Sequence, residues 1–228
     1  MSSLSEKRLK MLNNPNELQN LTAGVDEAGA GTWAGNLIVA SCVLDPNKPI
    51  LGLGDSKKLS PETRERLYDE ICANALEFQI ITVTPEEIDR SNILNCRMEG
   101  MVRAINSLTK ATNAIVDGDR VPSGVNIPTR AVIKADDTID CASAASILAK
   151  VYHDREITKA AELYPNFDFA SHKGYGTAKH KQELAKFGAT PLHRKSFKPV
   201  KNTLQLNLNS LPESSTEKET HMASEFTF

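Results

Sequence analysis

The chain has 228 residues, 40% apolar and 25% charged, which is room for one large globular domain with a smaller appendage. No stretch is long and apolar enough to cross a bilayer, and Lys7, Arg8 and Lys10 are followed by no apolar core, so neither a membrane span nor an ordinary secretory signal is expected. A net charge of -2 does not by itself mark a nucleic-acid binder, so any such surface must come from local clustering.

Residues 1–20 are polar and rich in Asn and read as a leader. Leu21–Val25 is a short strand that runs into Asp26-Glu27 and the glycine-rich turn Gly29-Ala30-Gly31. The apolar run Leu37–Leu44 suits a strand buried on both faces. Ser60-Pro61 opens a helix with Leu67, Ile71 and Ala75 on one face, Phe78–Val83 is a strand, and Thr84-Pro85-Glu86-Glu87 is a capping box. Met98, Met101, Val102, Ile105 and Leu108 fall at helical spacing. Two more short strands, Ala114–Val116 and Ala131–Ile133, lead into Asp117 and Asp136, and a long helix rich in small residues runs from about Ala142 to Tyr164-Pro165.

Beyond it the chain turns basic. Between Ser171 and Lys201 stand Lys173, Lys179, Lys181, Lys186, Arg194, Lys195, Lys198 and Lys201 against Glu183 alone, either a solvated face or a phosphate-binding surface. These shifts divide the chain into the leader, a core at 21–168, a basic helical segment at 169–204 and a tail at 205–228, expected to be disordered. Cys42, Cys72, Cys96 and Cys141 form no C-x-x-C pair and sit in or beside apolar runs, as reduced cysteines of a cytoplasmic protein do.

Three strands thus end in acid, at Asp26-Glu27, Asp117 and Asp136. Strands of one sheet can bring their ends together, and carboxylates gathered there suit hard divalent cations. Loop acids at strand ends are the plainer alternative. Because neighbours on a strand point to opposite faces, β-structure must end or bend at Asp26 if Glu27 is to face the same point.

Gly24-Val25-Asp26-Glu27-Ala28-Gly29, Asp55-Ser56-Lys57-Lys58-Leu59-Ser60, Asn92-Ile93-Leu94, Asp117-Gly118, Ser143–Val151 and His172-Lys173-Gly174-Tyr175 stand in an order that resembles bacterial ribonuclease HII, the type 2 RNase H, from about Ala23 to Lys201. The resemblance implies an α/β, RNase H-like fold, with a mixed five-stranded sheet flanked by helices and a small helical C-terminal segment. It implies cleavage of the RNA strand of RNA–DNA hybrids and incision at single ribonucleotides in duplex DNA, leaving 5′-phosphate and 3′-hydroxyl ends. The family's catalytic acids fall on Asp26, Glu27, Asp117 and Asp136, which would hold two Mn²⁺ or Mg²⁺ ions; Asp136 is preferred to Asp137. The ribose-reading turn falls on Gly29-Ala30-Gly31 and the tyrosine under the sugar on Tyr175. Phosphate contacts are expected from Lys57 and Lys58, His172 and Lys173, and Arg194 and Lys195, with Lys57, Lys173 and Arg194 inside matched motifs.

Departures from the family pattern are Ala30 for arginine, Thr32-Trp33, Asp119 for asparagine and Ala135 for glycine. Two other readings stay open: another two-metal nuclease of the same fold, and a catalytically weak hybrid-binding protein. A monomer with no membrane partner is expected. Gln205-Leu206-Asn207-Leu208 loosely resembles the peptide that bacterial replication proteins present to the sliding clamp, but Asn209 replaces its final aromatic.

Overall fold

The computed structural model describes residues 21–209, so the expected leader and most of the expected tail lie outside the described residues. Five strands form one sheet: β1 (Thr22–Ala28), β2 (Leu37–Val43), β3 (Glu77–Val83), β4 (Asn113–Asp117) and β5 (Thr129–Val132). Their order is β3-β2-β1-β4-β5. The β1–β2 and β2–β3 pairs are antiparallel, and the β1–β4 and β4–β5 pairs parallel. This is the expected mixed sheet, and it sets the ends of β1 and β4 side by side.

Helices cover both faces. Helix α1 (Pro61–Asn74) starts at Ser60, whose hydroxyl accepts from Thr63 N, and α2 (Pro85–Arg90) starts with the expected Thr84–Glu87 capping box. Helix α3 (Ile93–Asn106) follows, and a short turn, α4 (Ala135–Thr138), precedes the long α5 (Asp140–Leu163). The alternation of β2 decides which side each residue serves: Ile38, Ala40 and Cys42 join a core with α1 and α5, while Leu37, Val39 and Val43 join one with α2 and α3.

The small residues of α5 allow it to lie close on β1. A Cβ at Gly24 would stand 2.0 Å from the Cys141 carbonyl carbon, so that crossing requires glycine.

The C-terminal segment contributes α6 (Phe169–His172), α7 (Ala178–Phe187) and α8 (Lys198–Asn209), with a separate core of Ala34, Ile157, Phe167, Phe169, Leu184 and Val200. Helix α8 runs past residue 205, where the disordered tail was expected to start. Leu204, Leu208 and Leu211 do stand at helical spacing, but the polar residues between them carried the composition reading instead. No helix among the described residues is long and apolar enough to cross a membrane.

Candidate active site

Strand β1 does not end at Asp26. It stays paired with β2 through Glu27 and Ala28, so the two acids leave the sheet on opposite faces. Asp26 lies on the α5 side, where it is buried and bonded to Ser146; Glu27 lies on the α3 side, where its Oε1 stands 2.8 Å from Arg97 Nε. The expected bend is therefore absent, and the carboxylates approach the strand ends from two sides.

Asp117 closes β4 between them. Its Oδ1 accepts from Ala135 N at 2.7 Å, which ties the strand end to the turn that carries Asp136. That turn corrects a second expectation. β5 stops at Val132, Lys134 takes φ 57°, and Asp136 sits on the helical turn α4 rather than at a strand end. On this turn Asp136 is turned in and buried, whereas Asp137 faces outward and pairs with Lys58 at 2.9 Å.

The acids repel one another. Burial pushes the Asp26 carboxyl well above the usual carboxylate range, and Glu27 and Asp117 add to the shift. Burial also raises Glu27, with Asp117 adding and Arg97 opposing. Asp136 is raised by burial, then by Asp117 and Asp55, against the opposing charge of Lys57. Lys57 is exposed and acts on both Glu27 and Asp136. Glu27 Oε2 is buried with no hydrogen-bond partner among the described residues.

Gly29-Ala30-Gly31 forms the turn directly after β1. Gly29 takes φ 83°, and a Cβ there would meet His153 Cδ2 at 2.6 Å and Asn36 O at 2.8 Å. Gly31 differs: a Cβ there would meet nothing within 4 Å, so protein packing does not require that glycine. The Tyr175 turn is docked directly on this loop. Trp33 N donates to Gly174 O at 2.8 Å, and a Cβ at Gly176 would strike the Trp33 ring at 2.2 Å. Tyr175 is 39% exposed, with Lys150 Nζ 5.4 Å from its ring centroid. Trp33 is held in the C-terminal core beside His180 and does not spread over the open surface. Asp119 is exposed beyond the strand end.

The family model described as Ribonuclease HII matches residues 23–200. The chain belongs to the ribonuclease HII family. It is 49% identical over 183 residues to the Ribonuclease HII of Shewanella pealeana (strain ATCC 700345 / ANG-SQ1), covering 80% of this chain and 90% of that one. Among solved structures, ribonuclease H2 from Pyrococcus horikoshii OT3 superposes with a TM-score of 0.70 at 32% identity, over 81% of this chain and 97% of that one. RNase HII from Archaeoglobus fulgidus, solved in complex with PCNA, gives 0.64 at 31%, over 78% and 95%. The chain is thus a ribonuclease H, a hydrolase acting on RNA.

Within this ribonuclease HII chain, three of the expected phosphate contacts stand differently. Arg194 is fully buried. Its guanidinium donates to Gly29 O at 2.7 Å, Ala30 O at 3.1 Å and Gly35 O at 2.9 Å, so it braces the glycine turn from beneath and cannot reach a phosphate. His172 is also buried, with Nε2 on Glu183 Oε2 at 3.0 Å. Lys173 is partly buried in a left-handed conformation and donates to Thr158 Oγ1. Lys57, Lys58 and Lys195 remain exposed, although Lys58 is paired with Asp137.

Two features escaped the sequence reading. One is Arg97, at the acids. The other is a buried histidine chain. Gly174 N donates to His172 Nδ1, leaving Nε2–H for Glu183; His180 Nδ1–H points at Tyr175 O; and Thr190 N donates to His193 Nδ1. His193 Nε2–H then donates to His180 Nε2 at 3.0 Å. His180 and His193 are neutral in this arrangement, and a further proton on either would face another N–H. Burial, then His180, lowers His193 to about 3, and burial lowers His180 as well.

These neutral histidines should make the fold acid-sensitive. Below the ordinary histidine pKa the unfolded chain takes up protons that the folded chain refuses. The histidine contribution to stability is therefore full above about pH 6.5 and is lost as the pH drops toward about 3, His193 contributing on the order of a few kcal/mol. His193→Gln keeps one acceptor and one donor but does not titrate, so urea melts of that variant should show a shallower decline from pH 7 to pH 4. A decline as steep as in the native chain would remove His193 from the account.

Proposed function

We propose that the chain cleaves the RNA strand of RNA–DNA hybrids and incises duplex DNA on the 5′ side of a single embedded ribonucleotide, leaving 5′-phosphate and 3′-hydroxyl ends. The reading rests on one observation above others: Asp26, Glu27 and Asp136, carried by β1 and α4, each stand close enough to Asp117 at the end of β4 to feel its charge, which adds to burial in raising the proton affinity of all three. Among the described residues no three His, Cys, Asp or Glu side chains form a ready-made metal cage, because Asp26 and Glu27 leave β1 on opposite faces. The donor set nonetheless fits a hard divalent cation. All its donors are carboxylate oxygens, their mutual repulsion calls for positive charge, and Glu27 Oε2 is buried without a partner. In this reading Asp26, Glu27, Asp117 and Asp136 would hold two Mn²⁺ or Mg²⁺ ions, which when bound activate a water and stabilise the leaving oxygen.

The remaining residues position the substrate. Gly31 is free of any packing reason to be glycine, which supports a close approach by a ribose there. Tyr175, exposed on the turn that docks on this loop through Gly174 and Trp33, is suited to lie under the adjoining sugar. Lys57, whose charge acts on Glu27 and Asp136, supplies positive charge beside the acids. A sliding-clamp contact through Gln205-Leu206-Asn207-Leu208, on helix α8, belongs to the same reading; a clamp pull-down with and without residues 202–228 tests it.

The direct test incubates the protein, with Mn²⁺, Mg²⁺ or EDTA, with three duplexes: all-DNA, RNA–DNA hybrid, and DNA bearing one ribonucleotide. Cleavage of the last two and not the first is expected, only with metal. Tyr175→Ala should slow the single-ribonucleotide duplex more than the hybrid, where many A-form contacts share the binding. Cutting of all-DNA duplex would favour another nuclease of this fold. Binding without cutting would favour a hybrid-binding protein.

A further inference from the structure

Arg97 lies outside every motif that carries the resemblance, yet it stands among the acids. It projects from α3 on the same stripe as Ile93, Gly100 and Ala104, where the other residues pack on the sheet. Its Nε lies 2.8 Å from Glu27 Oε1, off the axis of a hydrogen bond, and its Nη2 donates to Asp117 O at 3.0 Å. The fold makes room for it. Gly118 takes φ 134°, and a Cβ there would stand 3.1 Å from Arg97 Nη2. One guanidinium thus spans the ends of β1 and β4 and occupies one oxygen of Glu27, leaving Oε2 buried without a partner. Both side chains are shielded, at 22% and 14% exposure, so bulk water screens the pair weakly.

We propose that Arg97 is a positioning residue that acts as a resident counter-cation: it holds Glu27 in the metal-free protein and competes with a divalent cation for that carboxylate. The inference rests on the reading of Glu27 as a metal ligand. Whatever stabilises the free form of a site and is not retained when ligand binds must weaken that binding by the same free energy. Arg97 therefore makes the metal-free fold more stable than the bare acids would allow, and it sets a lower metal affinity.

The test uses the full chain and two readouts that need no substrate. Thermal unfolding in EDTA measures the metal-free fold, and calorimetric titration with Mn²⁺ measures the site. Arg97→Gln should lower Tm in EDTA by about 3 °C or more and tighten Mn²⁺ binding about tenfold, within the usual range of coupling between sites. An unchanged Tm, or Mn²⁺ binding no tighter than in the native chain, overturns the proposal. If Arg97→Gln does not fold, Arg97→Lys replaces it. A point-charge ammonium cannot serve Glu27 and the Asp117 carbonyl as the guanidinium fork does. Mn²⁺ should therefore bind more tightly to the lysine variant too, and equal binding overturns the proposal. A native chain that binds no Mn²⁺, with Tm in EDTA still lowered in Arg97→Gln, overturns it through the metal reading while leaving the ion pair standing.

Discussion

Asp26→Asn, Glu27→Gln, Asp117→Asn and Asp136→Asn should each lower turnover about 100-fold or more, the scale of losing one charge-stabilising group from a preorganised site. Asp26→Asn should not weaken the metal-free fold, whereas Glu27→Gln should, because it strips the shielded Arg97 guanidinium of its counter-charge. For Asp26 the sign is clear. Its folded proton affinity is raised by burial and then by Glu27 and Asp117, so the ionised carboxylate costs stability at neutral pH, increasingly as pH rises above the ordinary aspartate value. Asparagine removes that cost, and Tm of Asp26→Asn in EDTA should equal or exceed that of the native chain. Loss of activity with unchanged or higher stability is what a functional rather than structural acid produces. Asp137→Asn is the control: its side chain is turned outward to Lys58, and turnover should stay within about threefold of native, as for a surface ion pair. Near-native turnover in Asp136→Asn, with loss in Asp137→Asn, would move the assignment by one residue. Steady-state kcat and KM on one hybrid, beside melts in EDTA, decide it.

Much of this was legible in the chain because it depends on local rules. Continuous apolar runs gave the strands, and Ser60 and Thr84 gave the helix starts, because caps and buried strands are local chemistry. The mixed five-stranded sheet and the assignment of the acids came from the resemblance, while the strand order came only with the structure, since no spacing rule gives one. What stayed hidden depends on non-local direction. Whether Asp26 and Glu27 share a face turns on how far β1 remains paired with β2, and that pairing runs through Ala28. Asp136 moved from strand to helical turn because Lys134 reverses the chain in a left-handed conformation, which a lysine seldom signals. Arg97 did leave a signal. It lies on the buried stripe of α3, and a cation there requires an anion or carbonyls within reach.

Arg194→Ala should be the most damaging single change to the fold outside the sheet. The arginine sits in the basic stretch and by charge alone reads as a phosphate contact, yet it is fully buried and its guanidinium is spent on the carbonyls of Gly29, Ala30 and Gly35. Its own backbone N–H donates to Trp33 O, and Gly35 N–H donates to Leu192 O, so residues 192–194 form a strut beneath the glycine turn. Burial lowers its pKa to about 10, far enough above neutrality for the charge to persist. Removing it takes the guanidinium donors from Ala30 O and Gly35 O, while Gly29 O keeps Thr32 Oγ1 at 3.0 Å, at about 1–3 kcal/mol for each buried group orphaned. A loss on the order of several kcal/mol would follow. Arg194→Lys should recover only part of this, because one ammonium cannot reproduce a planar fork that serves carbonyls on both sides of the turn. The two roles give opposite results. A brace predicts a large fall in Tm for Arg194→Ala and, in the folded lysine variant, a lower kcat on the single-ribonucleotide duplex than on the long hybrid, because the turn that meets the ribose has lost its support. A phosphate contact predicts an unchanged Tm and a flatter dependence of log affinity on log salt. Native-like melting of Arg194→Ala with a reduced salt slope would return this residue to the duplex surface and dissolve the strut.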